Sequence, residues 1–161
     1  MKIIDVYRLR RSVRSFAPGP IDQSVWEEIL EGGRLAATSR GKQARRFITI
    51  TDPTLIAETV EQAKMQTFLK DCSALVVGCQ TGEATSAADV IISMAHMEAV
   101  AVSHGLGTIW LGVFDRDVIS RRINLPEDYK AVLMMAFGHP SETLRQPPKL
   151  DKEELFRENH F

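Results

Sequence analysis

Apolar residues recur along this chain with two spacings, one typical of helices and the other typical of strands. Helical spacing covers residues 3–10, 23–37 and 116–123. Short runs of β-branched, aromatic or other apolar residues predict strands at 47–51, 75–79, 108–113 and 131–137. The two kinds of segment alternate, which predicts a mixed α/β (α+β) fold with helices flanking a central sheet.

Local signals refine this pattern at three places. Asp22 is suited to cap the helix at 23–37, because its carboxylate can accept hydrogen bonds from the first helical amides. Asp52 followed by Pro53 is suited to open another helix, since proline needs no amide hydrogen bond there. Residues 75–79 form an uninterrupted apolar run, which predicts a central strand buried on both faces.

The longest predicted helix spans residues 85–104 and carries apolar side chains on almost every side, with Gly105 suited to end it. Such a helix is buried on more than one side, and in so short a chain this predicts a partner subunit. His96 on this helix is expected to be a buried, hydrogen-bonded side chain rather than a base. The closing residues 151–161 predict a weak amphipathic helix, either packed on a neighbouring subunit or frayed.

Composition narrows the class of protein. The chain has 161 residues, 44% of them hydrophobic, which predicts one domain, 1–161, with a sizeable core. The 20 basic and 21 acidic residues nearly cancel, so no overall field favours nucleic acid or an anionic membrane as a partner. No segment resembles a signal peptide or an apolar span of about 20 residues, which favours a cytoplasmic location.

The chain has two cysteines, Cys72 and Cys79. They are too few for a disulfide scaffold or for a metal site of the CxxC type, so no metal is expected. Cys79 falls in an apolar run and is expected in the core, whereas Cys72 is expected near the surface.

Four arginines lie close together near the amino terminus: Arg8, Arg10, Arg11 and Arg14. Guanidinium groups match phosphate oxygens with planar pairs of donors, and the Ser12 hydroxyl adds another donor. The cluster is suited to a small phosphorylated ligand, and it is equally suited to a solvated cationic face with ion pairs. A phosphate-ligand or nucleic-acid adaptor is a further alternative, although few aromatic residues interleave with the arginines.

Residues 10–16, RRSVRSF, resemble the RRSxRxF motif of the nitroreductase family, the FMN-dependent NAD(P)H oxidoreductases. Residues 105–114 resemble its GLGxxWxGxF segment, and its later segments are similar to 124–126, 131–140 and 147–161. The resemblance implies a three-layer sandwich with a mixed central sheet, assembled as an intertwined homodimer. It also implies bound FMN, NADH or NADPH as reductant, and hydride transfer through flavin N5 to a nitroaromatic, quinone or similar small-molecule acceptor.

The resemblance assigns one group of residues to the FMN phosphate. Arg10 and Ser12 contact the phosphate in this assignment, with Arg11 beside them. Lys149 stands where the family has a second basic residue, and Arg145 is a nearby alternative. An ordinary surface role for Lys149 stays open.

A second group is assigned by resemblance to the flavin ring: Arg14, Gln66, Trp110, Leu111, Gly112 and Val113. Arg14 is placed at the pyrimidine edge, where negative charge develops on reduction. Trp110 and Leu111 lie against one face of the ring, and the backbone amides of Gly112 and Val113 face its N5 and O4 edge. The alternatives are a core aromatic at Trp110 and an ordinary core or surface side chain at Gln66.

Residues 36–47 depart most from the family, which has a loop resembling APSxxNxQPW here. The resemblance places four of them in the substrate pocket: Thr38, Arg40, Lys42 and Gln43. The loop also carries Arg45 and Arg46, and its basic character fits the phosphates of NADPH, an anionic acceptor or a solvated rim. The short chain leaves little room for a covering insertion, which implies an open pocket. Because the loop is altered, the alternative function is a flavin-binding or redox-sensing protein with little turnover.

Overall fold

A five-stranded sheet forms the centre of the molecule. The computed structural model describes residues 1–84, 86–142 and 146–159. The strands are β1 (Phe16–Ala17), β2 (Arg45–Ile50), β3 (Ala74–Thr81), β4 (Gly107–Leu111) and β5 (Tyr129–Pro140). β5 pairs antiparallel with β1, β3 and β4, and β3 pairs antiparallel with β2. Among the described residues the parallel pairing is a single bridge between Ser12 and Thr108.

Helices cover both faces of this sheet and make it the middle of three layers. They are α1 (Ile3–Leu9), α2 (Gln23–Arg34), α3 (Pro53–Gln62), α4 (Ala88–Ser103), α5 (Arg116–Arg122) and α6 (Lys152–Leu155). α2 and α4 pack on one face of the sheet, and α3 and α5 pack on the other. The three-layer sandwich is therefore confirmed. None of the helices in the described ranges is long and apolar enough to span a membrane.

Alternation of side chains along β3 explains why the molecule has two cores. Leu75 belongs to the apolar cluster that includes Ile56 of α3, whereas its neighbour Val76 belongs to the cluster that includes Met94 of α4. Every side chain from 74 to 79 is buried. The predicted central strand, buried on both faces, is confirmed.

The first turns of α2 and α3 test the two predicted caps. The Asp52 carboxylate accepts a hydrogen bond from the Leu55 amide at 2.9 Å, which confirms the predicted start of α3. Asp22 also occupies the residue before its helix, but its carboxylate makes no capping hydrogen bond. The predicted position at Asp22 is thus correct, and the predicted contact is wrong.

Three helices are shorter than the apolar pattern predicts. α2 ends at Arg34 rather than residue 37, and α4 begins at Ala88 rather than residue 85. Residue 85 itself lies outside the described residues. The closing helix is only the four-residue α6, not 151–161, and residues 160 and 161 also lie outside the described residues. Apolar spacing continues past these helix ends, so periodicity alone overestimates helix length.

Both cysteine side chains are buried, which corrects one prediction. Cys79 lies in the core as expected, but Cys72 is only 6% exposed and belongs to the same apolar cluster as Leu69. The turn that precedes β3 carries Cys72 inward, and the Cys72 amide donates to the Leu69 carbonyl at 3.2 Å. Burial raises the pKa of the Cys72 thiol to about 12 and that of Cys79 to about 11.

We expect both thiols to resist thiol-reactive reagents at pH 8 in the native protein and to react together in denaturant, because the thiolate is the reactive form. The unfolded chain releases these protons near the ordinary pKa of 9.0, earlier than the folded chain does. The free energy of unfolding should therefore fall as the pH rises above that value. A colorimetric thiol titration with and without denaturant measures the first effect, and rapid labelling of the native protein would contradict it.

Candidate functional site

The arginine segment, residues 10–16, runs along the outer edge of β4. The Val13 amide donates to the Thr108 carbonyl at 2.9 Å, and Ser12 forms the parallel bridge to Thr108. Val13 is fully buried, which anchors the segment. The arginine segment and β4 run in the same direction. Arg14, two residues after Ser12, and Trp110, two residues after Thr108, therefore line the same cleft.

A close approach of two backbones makes this pairing possible. A Cβ added at Gly107 would lie 2.5 Å from Val13 Cγ2 and 3.1 Å from Val13 Cβ. Real side chains do not approach so closely, so Gly107 leaves the space that Val13 fills. Glycine at this position lets the arginine segment dock against the first residue of β4.

The four arginines have four different environments. Arg8 pairs with Asp5 at 3.1 Å on the surface of α1. Arg11 turns back and donates to the carbonyls of Arg8 and Arg10, at 2.6 Å each, where α1 ends. Arg10 approaches Glu98, and in the described part of the chain the Arg14 guanidinium has no polar partner. The predicted single cluster is therefore divided, and Arg10 and Arg14 are the two that face other elements.

Glu98 is a buried carboxylate of α4 that connects Arg10 to β4. Its Oε1 atom accepts a hydrogen bond from Thr108 Oγ1 at 2.8 Å and lies 3.5 Å from Arg10 Nη1. The side chains of Arg10 and Glu98 are 27% and 10% exposed. Apolar periodicity gave no reason to single out Glu98, since its partners come from residues distant in the chain.

A cleft of about 420 Å³ opens beside the end of β4, and we call it the β4 cleft. Its lining residues are Arg14, Lys64, Met65, Gln66, Leu69, Ile109, Trp110, Leu111, Gly112 and Val113. Ile109 and Leu111 are buried, whereas Arg14 and Gln66 are exposed. The cleft therefore combines an apolar wall with the Arg14 guanidinium and an amide side chain, and it brings together the six residues that the resemblance assigns to the ring.

The rim of the β4 cleft is exposed backbone. Pairing with β5 stops at Leu111, so Gly112 and Val113 extend beyond the ladder, and Val113 is 98% exposed. A Cβ added at Gly112 would meet only Leu133 Cδ1, at 3.9 Å. Packing within the chain does not require glycine there, which leaves the backbone open to a flat ligand.

Sequence reasoning missed part of the cleft wall: Met65, Leu69 and Ile109. Leu69 lies in the one-turn helix Thr67–Asp71, for which Gln66 is the preceding cap residue. Lys64 has a positive φ of 51°, which marks the sharp turn that brings this segment to β4. No periodic signal marks such a turn, so these neighbours follow from the fold.

The second basic residue assigned to the phosphate is exposed: Lys149 lies in the segment between β5 and α6. Its alternative, Arg145, lies outside the described residues. A phosphate role for Lys149 stays a prediction.

The four residues assigned to the substrate pocket lie apart from the β4 cleft of their own chain. Three backbone positions with positive φ shape this loop: Arg40, Gly41 and Gln43. Lys42 and Gln43 line a different groove together with Arg46 and Tyr129, and Thr38 precedes the one-turn helix Ser39–Gly41. The Asp89 carboxylate accepts a hydrogen bond from the Ser39 amide at 3.0 Å, which ties the loop to α4.

Arg45 has a structural role that the basic loop did not suggest. It is 7% exposed, and its Nη2 atom donates to the carbonyls of Gly33, Arg34 and Ala36 at 3.1–3.3 Å. These carbonyls lie at the C-terminal end of α2, so Arg45 caps that end of the helix. Burial lowers the pKa of Arg45, and the nearby Asp89 charge opposes that effect. The interpretation of the basic loop as a solvated rim is therefore wrong at Arg45, which is buried.

The outer face of α4 is apolar and uncovered. Val90 and Met94 are fully buried on its inner face, whereas Ile91 and Ile92 are 45% and 38% exposed. His96 is also exposed, so its predicted burial is wrong for the single chain. The predicted apolar character on more than one side is present, and the chain itself covers only one of those sides.

Comparison with known proteins gives a consistent family. A family model described as the nitroreductase family matches residues 7–79 and 53–139. An FMN reductase (NADPH) of Bacillus subtilis is 23% identical over an alignment of 176 positions, which covers 94% of this chain and 71% of that protein. An NADPH-dependent oxidoreductase of Staphylococcus aureus is 24% identical over an alignment of 186 positions, which covers 99% of this chain and 74% of that protein.

Solved structures show the same architecture. A nitroreductase family protein of Clostridium difficile matches with a TM-score of 0.90 at 19% identity, covering 100% of both chains. The NADPH:FMN oxidoreductase of Vibrio harveyi, solved in complex with NAD+, matches with a TM-score of 0.88 at 22% identity, covering 99% of this chain and 77% of that one. These likenesses establish the fold.

Proposed function

This chain belongs to the nitroreductase family, and from that premise we propose that it is an NAD(P)H-dependent oxidoreductase that works with bound FMN. The observation that carries the proposal is the alignment of the arginine segment with β4. It places Arg10 and Ser12 beside Thr108 and Arg14 at the β4 cleft. The arginine segment thus begins with a cation and a hydroxyl donor suited to a phosphate, and two residues later it reaches the partly apolar β4 cleft.

The residues present fit both the phosphate and the ring of FMN. Arg10 offers charged guanidinium donors for a phosphate, and Ser12 offers a hydroxyl donor. The β4 cleft has an apolar wall that includes Trp110 and Leu111, and Gly112 leaves its backbone open to close approach. The exposed Arg14 guanidinium supplies a cation at the cleft edge.

FMN, when bound, supplies the hydride chemistry that this side-chain set lacks. Arg14 would supply a cation beside a bound flavin and would stabilise the negative charge that the ring gains on reduction. The backbone amides of Gly112 and Val113 would offer hydrogen-bond donors to the same ring. The apolar wall of the cleft excludes water from the face that it covers, and the exposed rim leaves room for NAD(P)H and the acceptor to enter in turn.

The working unit in this proposal is a homodimer formed through the outer face of α4. A stable interface removes apolar surface from solvent, and Ile91 and Ile92 expose such a surface in the single chain. Dimer formation also offers a place for Thr38, Arg40, Lys42 and Gln43. Since they do not line the cleft of their own chain, they form the substrate pocket at the cleft of the partner.

We expect Ile92→Glu to convert the dimer to a monomer, because a carboxylate would lose its hydration in the α4 interface. Leu55→Glu is the matched control: Leu55 is an exposed leucine on α3, at 47% exposure, away from α4. Sedimentation should give about half the wild-type mass for the first variant and the wild-type mass for the second. A wild-type protein that sediments as a monomer would overturn the homodimer.

The acceptor is proposed as a nitroaromatic, a quinone or a similar small molecule. Steady-state oxidation of NADH and NADPH, with and without such acceptors, tests turnover directly. Rapid, acceptor-dependent oxidation supports the enzyme.

The alternative is a flavin-binding or redox-sensing protein with little turnover. It is favoured by the altered loop, in which Arg45 serves the end of α2 rather than a ligand. Under this alternative the protein binds FMN, but oxidation of NADH and NADPH stays near the rate of free FMN with every acceptor.

A further inference from the structure

We propose that Glu98 is a positioning residue for the phosphate end of the flavin site. Its carboxylate holds the Arg10 guanidinium from the protein side, so that the other donors of Arg10 face the phosphate. This inference rests on the proposed function and names a residue that contacts Arg10 rather than the cofactor.

Glu98 is a buried carboxylate with two partners among the described residues. It lies on α4, where Thr108 Oγ1 and Arg10 Nη1 contact its Oε1 atom. A buried carboxylate is costly unless it is paired, so the position favours a cation beside it. Arg10 is that cation, although it lies 88 positions from Glu98 in the sequence.

Arg10 has donors left over after this contact. The guanidinium carries five N–H donors, and its side-chain hydrogen bond in the described residues is the one from Nη1 to Glu98. Its side chain is 27% exposed, so solvent reaches part of it. A guanidinium anchored on one side presents its remaining donors in a narrow range of directions, which lowers the entropy lost on binding a phosphate.

Thr108 completes the link to β4. Its side chain is fully buried, its hydroxyl donates to Glu98, and its carbonyl accepts from the Val13 amide. The strand therefore orients the carboxylate, and the carboxylate orients Arg10. Ser12, the other residue assigned to the phosphate, is bridged to the same threonine. One buried threonine thus sets the relative position of both phosphate donors.

A carboxylate near a phosphate also repels it. Whether FMN affinity rises or falls when the Glu98 charge is removed therefore distinguishes two roles for this residue. If Glu98 served only to neutralise Arg10, removing its charge would strengthen FMN binding. If Glu98 positions Arg10, removing its charge loosens the guanidinium and weakens FMN binding. Riboflavin lacks the phosphate, so its binding should not respond to Glu98 under the positioning role.

The test compares dissociation constants of FMN and riboflavin, measured by flavin fluorescence, for full-length wild type and Glu98→Gln. We expect FMN affinity to fall about tenfold, as for loss of a charge-assisted contact, and riboflavin affinity to stay within about twofold. Glu28→Gln is the control, since Glu28 lies on α2 and pairs with His104 at the C-terminal end of α4. It should leave both affinities unchanged.

A second pair of variants separates positioning from folding. Thr108→Ser keeps the hydroxyl and should preserve the preference for FMN over riboflavin, whereas Thr108→Val keeps the shape and should reduce that preference. Unchanged or tighter FMN binding by Glu98→Gln overturns the inference, and so does an equal loss of both flavins. If the wild type binds neither flavin, the proposed function itself fails and the inference fails with it.

Discussion

Replacing Gly107 by alanine is expected to lower the free energy of unfolding by about 2 kcal/mol, a typical cost of overpacking, and to weaken FMN binding by about tenfold or more. The added methyl group would lie 2.5 Å from Val13 Cγ2 and 3.1 Å from its Cβ. Val13 is fully buried in a close-packed interior, so we expect the arginine segment to shift away from β4. That shift separates Ser12 from Thr108 and displaces Arg10 and Arg14 together.

Gly82→Ala is the control for this substitution. Gly82 is exposed, and an added Cβ there makes one ordinary contact of 3.8 Å with a backbone oxygen. Chemical denaturation and flavin titration should leave this control like the wild type. Wild-type stability together with wild-type FMN affinity in Gly107→Ala would show that the segment does not depend on this close approach.

Replacing Arg45 by alanine is expected to cost about 3 kcal/mol of stability, because three buried or partly buried carbonyls lose a charged donor at once. The carbonyls of Gly33, Arg34 and Ala36 belong to the end of α2, and no other side chain in the described residues donates to them. α2 packs on α4, so loosening its end should also weaken the surface proposed for the dimer.

Arg46→Ala provides a matched test beside it. Arg46 is exposed, and within the described ranges its guanidinium donates to the nearby carbonyls of Gln43 and Arg45 alone. Its removal should change the free energy of unfolding by less than about 0.5 kcal/mol. Equal effects of the two substitutions, measured by denaturant unfolding, would contradict a capping role for Arg45.

The sheet and its flanking helices follow from local patterns in this chain. Residues 75–79 are apolar without interruption because β3 is covered on both faces, and Asp52 marks a helix start through one short-range hydrogen bond. Such signals depend on neighbours within a few residues. They are therefore readable before the fold is known.

Burial was harder to predict, because apolar spacing does not say what covers a surface. Cys72 lies in a turn that only tertiary packing carries inward. His96 lies on an apolar helix, but on the face that the single chain leaves exposed. An apolar stripe that meets the core and one that meets a partner subunit have the same sequence pattern.

The candidate site was predicted best for the residues that the family resemblance assigns to it. The resemblance placed Arg14 and the residues from Trp110 to Val113 together, and the β4 cleft contains all of them. The partners of Arg10 and Arg45 could not be predicted, since Glu98 and the end of α2 reach them only through packing. Charge clustering in the sequence therefore overstated how many arginines are available to a ligand: Arg11 and Arg45 both serve backbone carbonyls.

The central claim is that the arginine segment and the β4 cleft form one FMN site that accepts electrons from NAD(P)H. The most direct measurement is the visible absorption spectrum of the purified protein after incubation with FMN and removal of unbound flavin, recorded before and after anaerobic addition of NADPH or NADH. We predict a retained flavin spectrum that bleaches with at least one of the two nucleotides and returns when an acceptor is added. A colourless protein, or a flavin spectrum that neither nucleotide bleaches, would contradict the claim.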